Sequence, residues 1–238
     1  GNDAWDVDVF YESQLLETAK PVSQQSLGAG PVRQGLTFSL KIGDSTVDQQ
    51  VFLPTNSKRL DFVTNVDWQE VHRMLRVSFP AALRSEHATF DIQYGYVKRT
   101  THTNTSWDMA QFEVSGQRYA DLSTGDYGVA LLNDCKYGHK VKDNVLDLNL
   151  LRSPTEPDPD ADLGQHTFTY SLLPHIGCLQ DSPVMAEAAM LNQRPVLLDG
   201  YAAGKTALPC ALESDGISLE VVKKAEKEDR LVIRLVET

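Results

Sequence analysis

A chain of 238 residues, 41% of them hydrophobic, can bury a sizeable core and fits one large β domain or two smaller ones. Its 33 acidic and 22 basic residues give a net charge of -11, which argues against a nucleic-acid partner. The sequence has no apolar run long enough to span a bilayer and no charged-then-apolar leader, so we expect a soluble chain without a membrane partner.

The first third of the chain contains short apolar patches separated by Gly, Pro and Ser. Residues 36–42 and 75–79 alternate between apolar and polar side chains, which predicts strands with one solvated face. Residues 43–45 have the composition of a hairpin turn. Residues 21–35 are rich in Gly, Ser, Gln and Pro, and we expect them to form a connection without regular structure.

Between these patches, four residues stand at alternate positions of the sequence, namely Val66, Trp68, Glu70 and His72. In an extended strand they project to one face. Such a face can hold a sugar, because an aromatic ring stacks on a pyranose while a carboxylate accepts hydrogen bonds from hydroxyls. The alternative is a buried Trp beside a hydrogen-bonded Glu-His pair within a sheet.

The middle of the chain, residues 94–138, combines aromatic, hydroxyl and amide side chains. Residues 100–108 are polar but include Trp107, a composition that often lines a surface. Apolar positions recur at period two from Phe112 to Ala120, which predicts one half-buried strand. Residues 129–132 are entirely apolar and predict a core strand, closed by turn-forming residues at 133–134.

The next stretch continues the strand pattern. Residues 145–151 alternate, with leucines on one face, and Arg152 stands at their end. Three prolines make residues 154–164 a long acidic loop, whose match to a calcium-binding loop is weak. Residues 167–172 alternate again, and we expect Pro174 to end that strand.

The last third carries the one predicted helix. Ser182 and Pro183 form a helix start before residues 184–191. Residues 201–209 predict a loop, and residues 217–221 and 231–236 predict a terminal strand pair.

Cysteine and histidine usage gives no metal or disulfide pattern. The three cysteines are odd in number and widely spaced, which favours a reducing compartment and small apolar side chains in or near cores. The six histidines are scattered without zinc-binding spacing, so no zinc site built from this chain alone is expected.

Several longer stretches resemble the C-terminal region of family 38 glycoside hydrolases, the α-mannosidases, and in particular the cytosolic and bacterial type. They are HTNTSWD at 102–108, YGVALLNDCKYG at 127–138 and LLRSP at 150–154. Upstream, residues 61–80 match in the pattern DFxTxVDWxExHxxLxVxFP, and the motif GxHxFxY follows at 164–170. The matches keep one order across more than half of the chain.

The resemblance implies a mainly β fold: a large antiparallel β-sandwich or supersandwich of the galactose-mutarotase-like type, with few short helices. It implies that residues 1–238 are the C-terminal region of a larger, cytoplasmic α-mannosidase, and we expect a division into a core at 1–180 and a helix plus strand pair at 181–238. In the family, an N-terminal domain carries the nucleophile, the acid/base and the zinc ligands. We therefore expect a retaining, zinc-dependent enzyme acting on terminal α-mannose of oligosaccharides, with its catalytic domain and zinc site outside this sequence and no catalytic residue or metal ligand in it.

The resemblance also implies substrate-binding residues at the edge of the chain. A C-terminal-domain arginine of the family reaches the sugar pocket, and Arg152 matches it best; a surface arginine paired with the acidic loop is the alternative. Asp162 and His166 follow the family's DxGxH pattern. We further expect His102, Asn104 and Asp108 to belong to the same domain-facing surface.

Two other functions stay open at this point. One is a free carbohydrate-binding module that recognises mannosides by Trp and Tyr stacking. The other is a sugar epimerase of the mutarotase type, with Glu70 and His72 as its acid-base pair, which rests on fold analogy alone.

Overall fold

The computed structural model describes residues 3–193, 195–196, 199–200, 211–214 and 216–237. The loop predicted at residues 201–209 lies outside them. The strands are β1 (Lys20–Ala29), β2 (Arg33–Ile42), β3 (Ser45–Pro54), β4 (Leu60–Trp68), β5 (Leu75–Pro80), β6 (His87–Ile92), β7 (Gly95–Thr100), β8 (Val114–Ser115), β9 (Tyr119–Ser123), β10 (Tyr127–Asn133), β11 (Gly138–Lys142), β12 (Val145–Leu151), β13 (Gly164–Ile176), β14 (Ile217–Lys224) and β15 (Leu231–Glu237). The helices are α1 (Ser106–Ala110) and α2 (Val184–Asn192), with 3-10 turns at Val9–Ser13 and Leu179–Asp181.

Within the described residues the strands form three antiparallel sheets. The large sheet has nine strands in the order β1-β2-β3-β4-β13-β10-β9-β6-β7, and the small sheet has four in the order β5-β12-β11-β8. Strands β14 and β15 pair with each other. The prediction of a mainly β, antiparallel sandwich with few short helices is confirmed.

The core lies between the large and the small sheet, because the apolar side chains at alternate positions of the strands point into the space between them. On β12 the buried residues Leu146, Leu148 and Leu150 face Val129 and Leu131 of β10 within one hydrophobic cluster. The predicted strands at 36–42, 75–79, 129–132 and 145–151 and the terminal pair are all present.

A second cluster covers the opposite face of the large sheet. Helix α2 packs there, with Val184 and Ala188 fully buried against Leu132 and Leu173. The predicted helix is present, but Pro183 lies at its N-cap rather than at its first helical position. The Ser182 hydroxyl accepts a hydrogen bond from the Val184 amide at 3.3 Å. The division of the chain near residue 180 stays a proposal.

Four local expectations were wrong. Residues 21–35 are not a connection, because Lys20–Ala29 forms the edge strand β1. This strand is exposed along its whole length, so its sequence does not alternate between apolar and polar side chains. The single strand from Phe112 to Ala120 is two strands in different sheets, with Gly116 between them. Pro174 does not end β13. The pairing of β13 with β4 stops at Leu172, so at Pro174 the strand pairs only with β10, and a proline is tolerated there as at a sheet edge.

The fourth concerns the cysteines. Cys135 is exposed rather than placed in or near a core, because it lies in the turn after β10, while Cys178 is partly exposed.

No helix among the described residues is long and apolar enough to cross a bilayer.

Candidate functional site

The loop between β12 and β13 brings three of the predicted site residues together. The backbone amides of Arg152 and Ser153 both donate to Asp162 Oδ2, each at 2.9 Å. His166 Nε2 lies 2.7 Å from the Asp162 carbonyl oxygen. Asp162 therefore closes the loop on itself, and the DxGxH pattern has a structural reason: Asp162 and Gly164 both have positive φ, of 63° and 102°.

Ser153 anchors this loop to the core. It is completely buried at a φ of 48°, and its hydroxyl accepts a hydrogen bond from the Trp68 indole N–H. Its carbonyl accepts from the His72 amide at 3.0 Å. Trp68 is 1% exposed, so the indole serves as a buried support for the loop and offers no ring face for sugar stacking.

The guanidinium of Arg152 lies against the N-terminal segment. Its Nη2 is 3.2 Å from the Asp6 carbonyl oxygen and 3.4 Å from that of Asp3. Beside it the Ala4 amide donates to the Glu156 carbonyl at 2.9 Å. Arg152 thus links the acidic loop to the segment that leads into the sandwich through hydrogen bonds to two backbone carbonyls.

The other three predicted residues gather at the start of helix α1. Asp108 Oδ2 accepts hydrogen bonds from the Thr105 amide at 3.0 Å and hydroxyl at 2.7 Å, and the Thr105 hydroxyl accepts from the Asp108 amide, which makes a capping box. His102 Nδ1 is 3.4 Å from Asp108 Oδ2 and 3.5 Å from the Asn104 amide. Hydroxyl hydrogen bonds from Thr105 and Thr100 lower the pKa of Asp108.

The two groups lie at opposite ends of β12. Near α1, Lys142 Nζ is 3.2 Å from the Asp108 carbonyl, and Lys142 borders the turn that precedes β12. Arg152 directly follows Leu151 at the other end of the strand. At about 3.3 Å per residue the strand separates them by roughly 20 Å. The structure therefore does not bring the predicted site residues into one cluster.

Glu70 and His72 do not form the pair that an epimerase would need. Glu70 accepts from the Asp44 amide at 2.7 Å and forms an ion pair of 2.8 Å with Arg73. His72 Nε2 contacts the Thr155 hydroxyl at 2.8 Å, at a backbone φ of 56°. The expected common face is absent because β4 ends at Trp68.

A further charged cluster, missed by the sequence analysis, lies on the outer face of the small sheet. Arg76 Nε donates to Asp147 at 2.6 Å, and its Nη1 lies 2.6 Å from Glu113. The Tyr11 hydroxyl donates to Glu113, and Lys140 Nζ lies 3.4 Å from that hydroxyl. The alternation of β12 correctly places Asp147 on the polar face, but nothing local in the sequence indicates that Tyr11 covers it.

Burial perturbs several members of this cluster. It raises the pKa of the Tyr11 phenol, with Glu113 adding to the effect, and it raises the pKa of the Glu113 carboxyl. Burial alone lowers the pKa of Arg76, but Asp147 and Glu113 outweigh it, and the net pKa is raised. Arg76 is therefore a buried cation that depends on both carboxylates.

Metal ligands are not gathered anywhere in the described part of the chain, where no group of three or more His, Cys, Asp or Glu side chains could hold an ion. These residues thus do not fit a zinc site. The acidic loop instead uses Asp158 in a local turn, in which its side chain accepts from the Asp160 amide at 3.0 Å.

The chain is similar to known proteins along nearly its whole length. The model of the "Glycosyl hydrolases family 38 C-terminal domain" matches residues 1–160. The chain is 44% identical to "Alpha-mannosidase 2C1" of Mus musculus over 99% of its own length and 23% of that protein, and 39% identical to "Alpha-mannosidase G" of Dictyostelium discoideum over 99% and 22%. It thus spans about a quarter of these relatives. A family 38 glycosyl hydrolase structure from Enterococcus faecalis covers 92% of the chain, and the chain covers 31% of it, with a TM-score of 0.71 at 18% identity, which supports the fold.

Proposed function

The chain belongs to glycosyl hydrolase family 38, as its C-terminal domain, and we propose that it is the sandwich portion of an α-mannosidase that removes terminal α-mannose from oligosaccharides. The observation that carries this proposal is the identity of 39% to 44% with curated α-mannosidases over 99% of the chain. We propose that the enzyme works in the cytoplasm, as the type it resembles does.

The proposal divides the chemistry between two parts of one polypeptide. The catalytic domain supplies the carboxylates of a retaining reaction and the zinc site, as the resemblance to the family implies. The sandwich packs against that domain and contributes residues to the rim of the sugar pocket. Carbohydrate hydroxyls are recognised by fixed donors, and the loop closed by Asp162 holds Arg152 and His166 in defined positions.

Arg152 is the residue we propose for substrate contact. Its loop is held rigidly by the Ser153 and Asp162 hydrogen bonds, so a guanidinium placed here has a defined position. We assign His102, Asn104 and Asp108 a separate role at the domain-facing surface, since they lie at the other end of β12 from Arg152.

The test is the Arg152→Ala variant of the full-length enzyme, assayed for hydrolysis of an α-mannoside. Loss of a charged hydrogen bond to substrate lowers kcat/KM roughly 10- to 100-fold. The control is Arg234→Ala, an exposed arginine of the terminal strand pair, which leaves kcat/KM unchanged. Equal kcat/KM for wild type and Arg152→Ala would remove substrate contact from the proposal.

A binding-module function makes a different prediction. Titration of mannose oligosaccharides into the 238-residue chain produces no saturable heat if the chain acts only within the enzyme. Clear saturation would favour the free carbohydrate-binding module instead.

A further inference from the structure

We propose that residues 3–17, here called the strap, form a docking surface for the catalytic domain of the same polypeptide. This inference rests on the proposed function for the identity of its partner. It goes beyond it by assigning the contact to one segment and to particular side chains. The argument depends on how the strap divides its polar and apolar groups.

The polar groups of the strap bind the sandwich at three places. At its start, Asp3 and Asp6 offer their carbonyls to Arg152, and Ala4 pairs with Glu156. In the middle, Tyr11 inserts its hydroxyl between Glu113 and Lys140. At its end, Glu17 accepts from the Gly43 amide at 3.0 Å. The strap is therefore fixed along its length.

The large apolar side chains of the strap are exposed instead. Trp5 is 75% exposed, Phe10 70%, Leu15 85% and Leu16 66%. Four such side chains within twelve residues are unusual for a segment that is anchored by hydrogen bonds, because an anchored chain can bury its apolar side chains at little further entropic cost. Their exposure is explained if another surface covers them.

Helix α1 extends this surface. Phe112, just after α1, lies with its ring centroid 6.5 Å from that of Tyr11, so the helix is beside the middle of the strap. Trp107 of α1 is 82% exposed and Met109 60%. Aromatic and Met side chains are those enriched at the centres of protein interfaces.

The occupant follows from the size of the relatives. The chain spans 23% of one α-mannosidase and 22% of another, and the matching family domain is C-terminal, so most of such an enzyme precedes this part. The strap is the part of the chain that is nearest in sequence to that preceding portion. An apolar strip covered by the catalytic domain would fix its orientation on the sandwich, and with it the loop that carries Arg152.

Hydroxyl-radical footprinting tests the proposal by comparing the full-length protein with the 238-residue chain. Trp5, Phe10, Leu15 and Leu16 lose most of their labelling in the full-length protein. Tyr94, which is 81% exposed in the turn between β6 and β7, serves as the reference for radical dose. Equal labelling of the strap in both proteins would overturn the proposal. Protection that appears in the 238-residue chain as its concentration rises would overturn it in favour of a second copy.

A double variant, Trp5→Ser with Phe10→Ser, checks that the contact matters. In the 238-residue chain its unfolding midpoint equals that of wild type, since both side chains are exposed. In the full-length protein it increases labelling at Leu15 and Leu16. Unchanged labelling there would contradict docking through these aromatics. Hydrolysis of an α-mannoside is measured separately, so that an inactive protein with a protected strap refutes the proposed function and leaves the docking surface standing.

Discussion

Gly128 lies where a side chain has no room, and Gly128→Ala is the sharpest test of the packing described for β10. A Cβ added there would lie 2.3 Å from His175 Cε1, 2.4 Å from His175 Nε2 and 2.6 Å from Ser123 Cβ. Carbon atoms pack best at about 3.5 to 4.0 Å, so the imidazole would have to move by roughly 1.2 Å. His175 Nε2 lies 2.8 Å from Asp121 Oδ1, and both side chains are completely buried.

The ring cannot move that far and keep its hydrogen bond to Asp121. Overpacking costs about 1 to 3 kcal/mol, and a lost hydrogen bond to a charged group about 1.5 to 3 kcal/mol, so we expect a loss of about 3 to 6 kcal/mol in the free energy of unfolding. That is a large share of the roughly 5 to 15 kcal/mol typical of a domain.

Urea unfolding of the 238-residue chain, followed by circular dichroism, measures this loss. The control is Gly125→Ala in the preceding turn, where an added Cβ meets nothing within 4 Å and the change stays within about 1 kcal/mol. Unfolding midpoints that are the same for Gly128→Ala and Gly125→Ala would refute the packing argument.

Two further predictions concern buried ionisable groups. Burial lowers the pKa of His139 from 6.5 to about 4, so on acidification the unfolded chain takes up a proton at this residue before the folded chain does. The free energy of unfolding therefore falls as pH drops from 6.5 towards 4, by on the order of 3 kcal/mol, and His139 contributes no pH dependence above pH 6.5. In His139→Gln, urea unfolding across this pH range shows a smaller decline, and an equal decline would contradict the assignment. Asp147→Ala leaves Arg76 without its closest carboxylate and lowers the free energy of unfolding by about 3 to 5 kcal/mol, whereas Asp160→Ala on the exposed loop changes it little. Similar urea midpoints for these two variants would count against a buried cluster.

The core strands could be predicted because buried strand positions carry apolar side chains, which are visible in the sequence. Residues 129–132 are apolar at every position, and β10 is indeed buried on both faces, between the small sheet and helix α2. Strand β1 could not be predicted in this way, because an edge strand with both faces solvated carries no alternation. Helix α1 was missed because it has five residues, although Thr105 and Asp108 have the spacing of a capping box.

The candidate site was predictable only where it is local. Arg152, Asp162 and His166 lie within fifteen positions, and the structure joins them in one loop. The contact of Tyr11 with Glu113 spans 102 positions and leaves no local pattern. The separation of the His102 group from Arg152 by the length of β12 could not be predicted either, because it depends on how the two loops are placed at the ends of that strand.

The most direct measurement compares hydrolysis of an α-mannoside by the full-length protein and by the 238-residue chain at equal molar concentration. If this chain is the supporting domain of an α-mannosidase, the full-length protein releases mannose and the 238-residue chain releases none. Release of mannose by the 238-residue chain alone, or none by the full-length protein supplied with zinc, would contradict that account.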